Sequence, residues 1–129
     1  MTPSNTPPQN RILAALSLSV YERLLPDLEL VRIRVGDEIH APGIPISHLY
    51  FPLDCIVACV AELSDGATLL TSLTGPEGMA GLSCLLGCGS APARVVALSG
   101  GSALRIKSPV LKKEFDAGGE LQRLVLGFT

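Results

Sequence analysis

The stretch 75-GPEGMAGLSCLLGCGSAPARVVAL-98 is rich in glycine, almost free of charge, and closes on a single arginine, Arg94. Glycines at 75, 78 and 81 give a backbone that can turn its N–H groups outward, the ordinary way a loop cradles a phosphate. The loop lacks the Lys-Ser/Thr pair of a nucleoside-triphosphate loop. Its alternatives are a ligand cradle of another kind or a set of tight turns, and the segments on either side decide between them.

On its N-terminal side, 56-IVACVAEL-63 and 67-ATLLTSL-73 flank Asp65-Gly66, the strongest short-range hairpin signal in the chain. Further upstream, the residues from Leu28 to Val35 alternate with a period near two. Turn residues then recur at Gly36-Asp37, Pro42-Gly43, Pro52 to Cys55, Gly75-Pro76 and Gly100-Gly101. On its C-terminal side, 93-ARVVAL-98 and 102-SALRIK-107 read as strands. About eight short strands are expected, which points to a mainly β jelly roll or barrel core.

Helices are expected at both ends. Ile12, Leu13 and Leu16 fit one helical face, and Ser19 with Glu22 forms an S-x-x-E capping box opening a second helix that Pro26 ends. In 108-SPVLKKEF-115, serine is the expected N-cap and proline the first helical residue. Gly118-Gly119 breaks that helix, and 120-ELQRLVLGFT-129 resumes with Leu121, Leu124, Val125 and Phe128 on one stripe. Residues 1–9, with three prolines, are expected to form a loose arm, and 10–129 one domain.

A formal net charge of −2 with 17% charged residues describes a core-forming chain without polyelectrolyte character. All ten lysines and arginines lie at or before Arg34 or at or after Arg94, and the Lys112-Lys113 pair supplies too few phosphate contacts for DNA binding. No apolar run approaches a membrane span and the N-terminus has no signal-peptide pattern, so a cytoplasmic location is expected. Cys55, Cys59, Cys84 and Cys88 are then expected to be reduced.

The order of elements and three local features carry a resemblance. These are Gly36 in 35-VGDEIHAPG-43, the aromatic strand and turn 48-HLYFPLDC-55, and the glycine cassette 78-GMAGL-82 after the Asp65-Gly66 hairpin. From about Asn10 onward the chain resembles the N-terminal sensor domain of the Crp/Fnr transcription regulators, a cyclic-nucleotide-binding β-roll. The resemblance implies a small effector, cyclic AMP or another cyclic nucleotide, bound at Glu77, Gly78, Met79, Ala80, Gly81, Leu82, Ser90 and Arg94. It implies a homodimer formed through the C-terminal helix, by Leu121, Leu124, Val125 and Phe128. DNA would be bound only through a helix-turn-helix domain beyond this chain.

Two departures bear on the ligand. Met79 stands where the cassette has a glutamate, and a thioether cannot replace a charged acceptor. Ala91-Pro92 stands at the arginine position, with Arg94 three residues late, an offset that turns its side chain to the opposite face of a strand. A third lies in the turn, where Cys55 replaces the usual glycine: either that turn differs or Asp54 takes an unusual conformation. The spacings Cys55-x3-Cys59 and Cys84-x3-Cys88 are looser than the C-x2-C turns of metal sites, so core thiols are expected, with thiol or metal sensing the alternative. His40 and His48 lack the paired spacing of a cupin and read as surface or strand residues. No G-x-S-x-G or P-loop lysine is present, and no enzyme is expected.

Overall fold

The structure, a computed structural model, describes residues 10–81, 85 and 93–128, with Glu62 and Phe128 as backbone alone. The first turn of the chain is set by Asn10, whose Oδ1 accepts from the N–H groups of Ile12 and Leu13 at the start of α1 (Arg11–Ala15). Helix α2 (Leu18–Leu24) begins two residues earlier than a cap at Ser19 would place it. Its N-cap is Ser17, and no side-chain cap bond forms. Pro26 then tightens the chain into a 3₁₀ turn, Leu25–Asp27, because it lacks the N–H needed to continue an α-helix.

Among the described residues seven strands follow: β1 (Glu29–Ile33), β2 (Glu38–His40), β3 (His48–Pro52), β4 (Ile56–Glu62), β5 (Thr68–Thr74), β6 (Arg94–Ser99) and β7 (Gly101–Lys107). They form two antiparallel sheets, ordered β1-β7-β3 and β2-β6-β4-β5. Ala80 adds an isolated antiparallel bridge to Tyr50. The β4–β5 hairpin turns at Asp65-Gly66 as expected, with Gly66 at φ +88°, Leu63 N–H bonded to the Ala67 carbonyl at 2.7 Å, and Ala67 N–H bonded to Asp65 Oδ1 at 3.0 Å.

Helix α3 (Ser108–Asp116) carries Pro109 in its first turn as expected, but its N-cap is Lys107. The Ser108 hydroxyl instead donates to the Ile46 carbonyl at 2.8 Å, tying the helix start to the loop before β3. Gly118, at φ +76°, ends it, and α4 (Glu120–Phe128) follows.

Each face of the first sheet serves a different layer. Leu49, Phe51, Leu104 and Ile106 face the helices and join Ile12, Leu13, Tyr21, Leu24, Leu111, Phe115, Leu121 and Val125 in one buried cluster. On the opposite face, Val31, Ile33, Tyr50 and Ala103 meet Val57, Val95 and Ala97 of the second sheet inside the roll. Small residues are common in that interior. At Gly101, the start of β7, an added Cβ would fall 2.5 Å from Asp54 Oδ1 in the turn after β3. That same oxygen accepts from the Ser102 N–H and hydroxyl. Asp54 does not take a left-handed conformation, since no residue other than glycine has positive φ among the described residues. The turn itself differs, and Cys55 is buried within it.

Candidate functional site

The cassette is built from a turn followed by a strand-like step. Gly78 N–H bonds to the Gly75 carbonyl at 3.1 Å, and Gly75 N–H bonds to Glu77 Oε1 at 3.1 Å. Ala80 then pairs with Tyr50 through two backbone bonds, of 2.8 and 3.1 Å. Pairing imposes alternation on the neighbouring side chains. Met79 turns toward the helices, 3% exposed within their cluster, while Ala80 turns into the roll. Gly81, at φ +105°, packs so closely that a Cβ would meet His40 Cε1 and Leu49 Cγ at 3.2 Å.

This geometry revises several expected ligand contacts. The Met79 side chain belongs to the core, and only its backbone borders the roll. The Gly78 and Ala80 N–H groups already have partners inside the chain, so they are not the donors of a phosphate nest in this conformation. Glu77 is exposed and its carboxylate folds back on its own turn. Leu82 and Ser90 lie outside the described residues.

Arg94 points away from the roll interior. Val95 and Ala97 of β6 face inward, so Arg94 and Val96 face outward, and Arg94 Nε lies 3.0 Å from Glu38 Oε2 on that outer surface. On the face of the first sheet that carries Tyr50 and Ala103 stands a cationic side chain, Arg105. It is paired with Glu29 and lies 3.5 Å from the Tyr50 hydroxyl. Sequence spacing missed Arg105 because it lies in the last strand, far from the cassette, and only the β1-β7-β3 register sets it beside Tyr50.

His40 was also missed. A register shift between Glu38 and His40 turns its ring inward, where it is 7% exposed and stands edge-on to Tyr50 with centroids 5.8 Å apart. Its Nε2 lies 2.9 Å from the His48 carbonyl oxygen, which only accepts, so this nitrogen carries the hydrogen. Burial pushes the His40 pKa below its ordinary value of 6.5, with the carbonyl bond opposing the shift. The Arg105 hydrogen bond and charge hold Glu29 below the ordinary carboxylate value.

A cleft of about 280 Å³ opens at Pro26, Asp27, Leu28, Glu29, His48, Arg105 and Lys107. No residue of 75–81 lines it, and its two carboxylates offset its two cations. Cys55 is fully buried, its thiol donating to the Ser102 carbonyl at 3.4 Å, and burial raises its pKa. Cys59 is half-buried. Cys84 and Cys88 lie outside the described residues. Among the described residues no group of three or more His, Cys, Asp or Glu is placed to hold a metal ion, and no helix is long and apolar enough to cross a membrane. In α4, Leu121 and Val125 are wholly buried in this chain's own core, Leu124 is half-buried, and Leu126 is 49% exposed. The Phe128 side chain lies outside the described residues.

No family model and no curated protein sequence matches the chain. Solved structures do. The sensor domain of the transcriptional regulator DNR from Pseudomonas aeruginosa is 15% identical, with a TM-score of 0.72 over 91% of this chain and 83% of that one. The N-terminal domain of a transcriptional regulator from Streptomyces coelicolor A3(2) is 23% identical, with a TM-score of 0.70 over 92% of this chain and 82% of that one. The regulatory subunit of a cAMP-independent protein kinase A from Trypanosoma brucei, a triple mutant bound to cAMP in the A site, is 22% identical. Its TM-score is 0.68, over 78% of this chain and 37% of that chain. The chain thus spans little more than a third of the kinase subunit it resembles. The fold is the cyclic-nucleotide-binding β-roll, and its structural neighbours include regulators of the Crp/Fnr type.

Proposed function

We propose that this chain is a non-enzymatic sensor domain of a Crp/Fnr-type transcription regulator. It receives a small effector beside 75–81 and relays occupancy through its C-terminal helices to a DNA-binding domain outside this chain. The observation that carries the reading is the double anchorage of the cassette: Ala80 is built into the roll and Met79 into the helical core. A ligand that moves the loop must therefore disturb the helices. In this reading residues 10–129 act as one domain in a cytoplasmic homodimer, and contacts to a partner copy fall on the outer side of α4.

The effector is not a cyclic nucleotide held by a cassette carboxylate and arginine. Met79 offers no acceptor, Glu77 is engaged in its own turn, and Arg94 is drawn to Glu38 on the outer surface. A second reading, a ligand-free interaction module, is favoured by the same burial of Met79, which fills the space beneath the loop. Calorimetric titration with cyclic AMP, followed by thermal shifts against a small-metabolite panel, separates them. No heat at millimolar cyclic AMP is expected, together with a rise in melting temperature for one metabolite class. Micromolar cyclic AMP binding would overturn the assignment of Met79 and Arg94, and a panel without any shift would favour the interaction module.

A further inference from the structure

We propose that Asn10 is the positioning residue that transmits the conformation of the 75–81 loop to the helical layer. The idea rests on the sensor reading above for its purpose, but on geometry alone for its mechanism. Asn10 is completely buried, 0% exposed, and its amide uses its full bonding capacity. Nδ2 donates to the Gly78 carbonyl at 2.7 Å and to the Pro52 carbonyl at 2.9 Å. Oδ1 accepts from the Ile12 and Leu13 N–H groups at 3.0 and 3.3 Å. Two donors on one side and two carbonyls on the other fix which end of the amide is nitrogen.

One side chain therefore joins the cassette, the end of β3 and the start of α1. An N-cap needs only the oxygen; the two long-range bonds from the nitrogen are surplus to capping. Arg11 N–H adds a bond to the Pro76 carbonyl at 2.7 Å. Beyond α1 the connection continues, because Ile12 and Leu13 share the cluster of Leu121 and Val125, and Ser17 N–H bonds to Glu120 at the start of α4. A displacement of Gly78 must pull on α1 or break a buried bond, and α1 packs on α4.

The test perturbs the loop without any ligand, so a failed cyclic-nucleotide titration leaves it intact. Gly81→Ala strains the cassette through its positive φ and its contact with His40. Amide hydrogen exchange is read in α1 and α4 relative to the β4–β5 hairpin. With Asn10 present, Gly81→Ala is expected to speed exchange in both helices about fivefold or more beyond the hairpin, the lower end of ordinary coupling between sites. In the Asn10→Ser background, serine keeps the cap oxygen and loses both donors, and the added substitution should leave the helices within about twofold of the single variant. An unaltered helical response in Asn10→Ser would overturn the proposal, since a purely structural Asn10 slows or speeds all elements alike. Should Gly81→Ala fail to fold, Glu77→Ala, which releases the Gly75 N–H, serves as the loop perturbation with the same two outcomes.

Discussion

Met79 shows how far the direction of one side chain can depend on a distant pairing. Its position in the glycine cassette is readable from sequence, but its direction is not, because that depends on the pairing of Ala80 with Tyr50 thirty residues away in the chain. Restoring the family's acidic residue should not restore a ligand. Met79→Glu places a carboxylate in the helical cluster and is expected to cost about 3 kcal/mol or more, measured by denaturant unfolding. Met79→Leu, which keeps volume and apolarity, should cost less than about 1.5 kcal/mol. A Glu variant as stable as the parent would mean that the residue faces water. His40 lies in a strand, as expected, but a register shift of one residue in β2 turns its ring to the interior, and local alternation carries no signal for that direction. Asn10 is legible as the start of a helical pattern, but its bonds to Pro52 and Gly78 depend wholly on tertiary placement.

Elements were far more legible than the directions of their side chains. The Asp65-Gly66 hairpin, the stop at Pro26 and the break at Gly118 all follow from backbone chemistry that acts over two or three residues. Caps were less so. Ser19 and Ser108 carry the right chemistry for capping, but Ser17 lies where α2 begins, and Ser108 is recruited by the Ile46 carbonyl. In α4 the apolar stripe was legible, but not which chain it serves. Its inner edge is consumed by the domain's own core, and its outer side, with Leu126 exposed, is where the proposed second copy would pack. Leu121→Ala is accordingly expected to lower stability by about 2–5 kcal/mol. Leu126→Glu should leave unfolding within about 0.5 kcal/mol while shifting sedimentation from dimer to monomer. Unchanged sedimentation would remove this side of α4 from the interface.

At the scale of the whole molecule, the packing of the roll buries one imidazole, that of His40, and this sets a dependence on pH. The folded-state pKa of His40 lies below the ordinary 6.5 because of burial. Above that value the ring is neutral in both states and its full contribution to stability is present. As pH falls below 6.5 the unfolded chain takes up the proton first, so stability is lost down toward the folded-state pKa, at up to about 1.4 kcal/mol per pH unit. His48 shifts the same way, chiefly by desolvation. Glu29 acts in a separate, lower window: its pairing with Arg105 stabilises above the ordinary carboxylate value of 4.5 and is lost as pH falls through the depressed one. Unfolding measured at pH 7.5 and 5.5 should show the loss, and His40→Gln, which retains a donor for the His48 carbonyl, should reduce it. Equal slopes in the two proteins would count against a buried neutral ring.

The crowding of Asp54, Gly101 and Ser102 has an evolutionary meaning. Asp54 Oδ1 takes both bonds that Ser102 offers and occupies the space that any side chain at 101 would need. Substitutions here are expected to be coupled, because a methyl group at 101 would displace the carboxylate and a changed residue at 54 would take from Ser102 its acceptor within the chain.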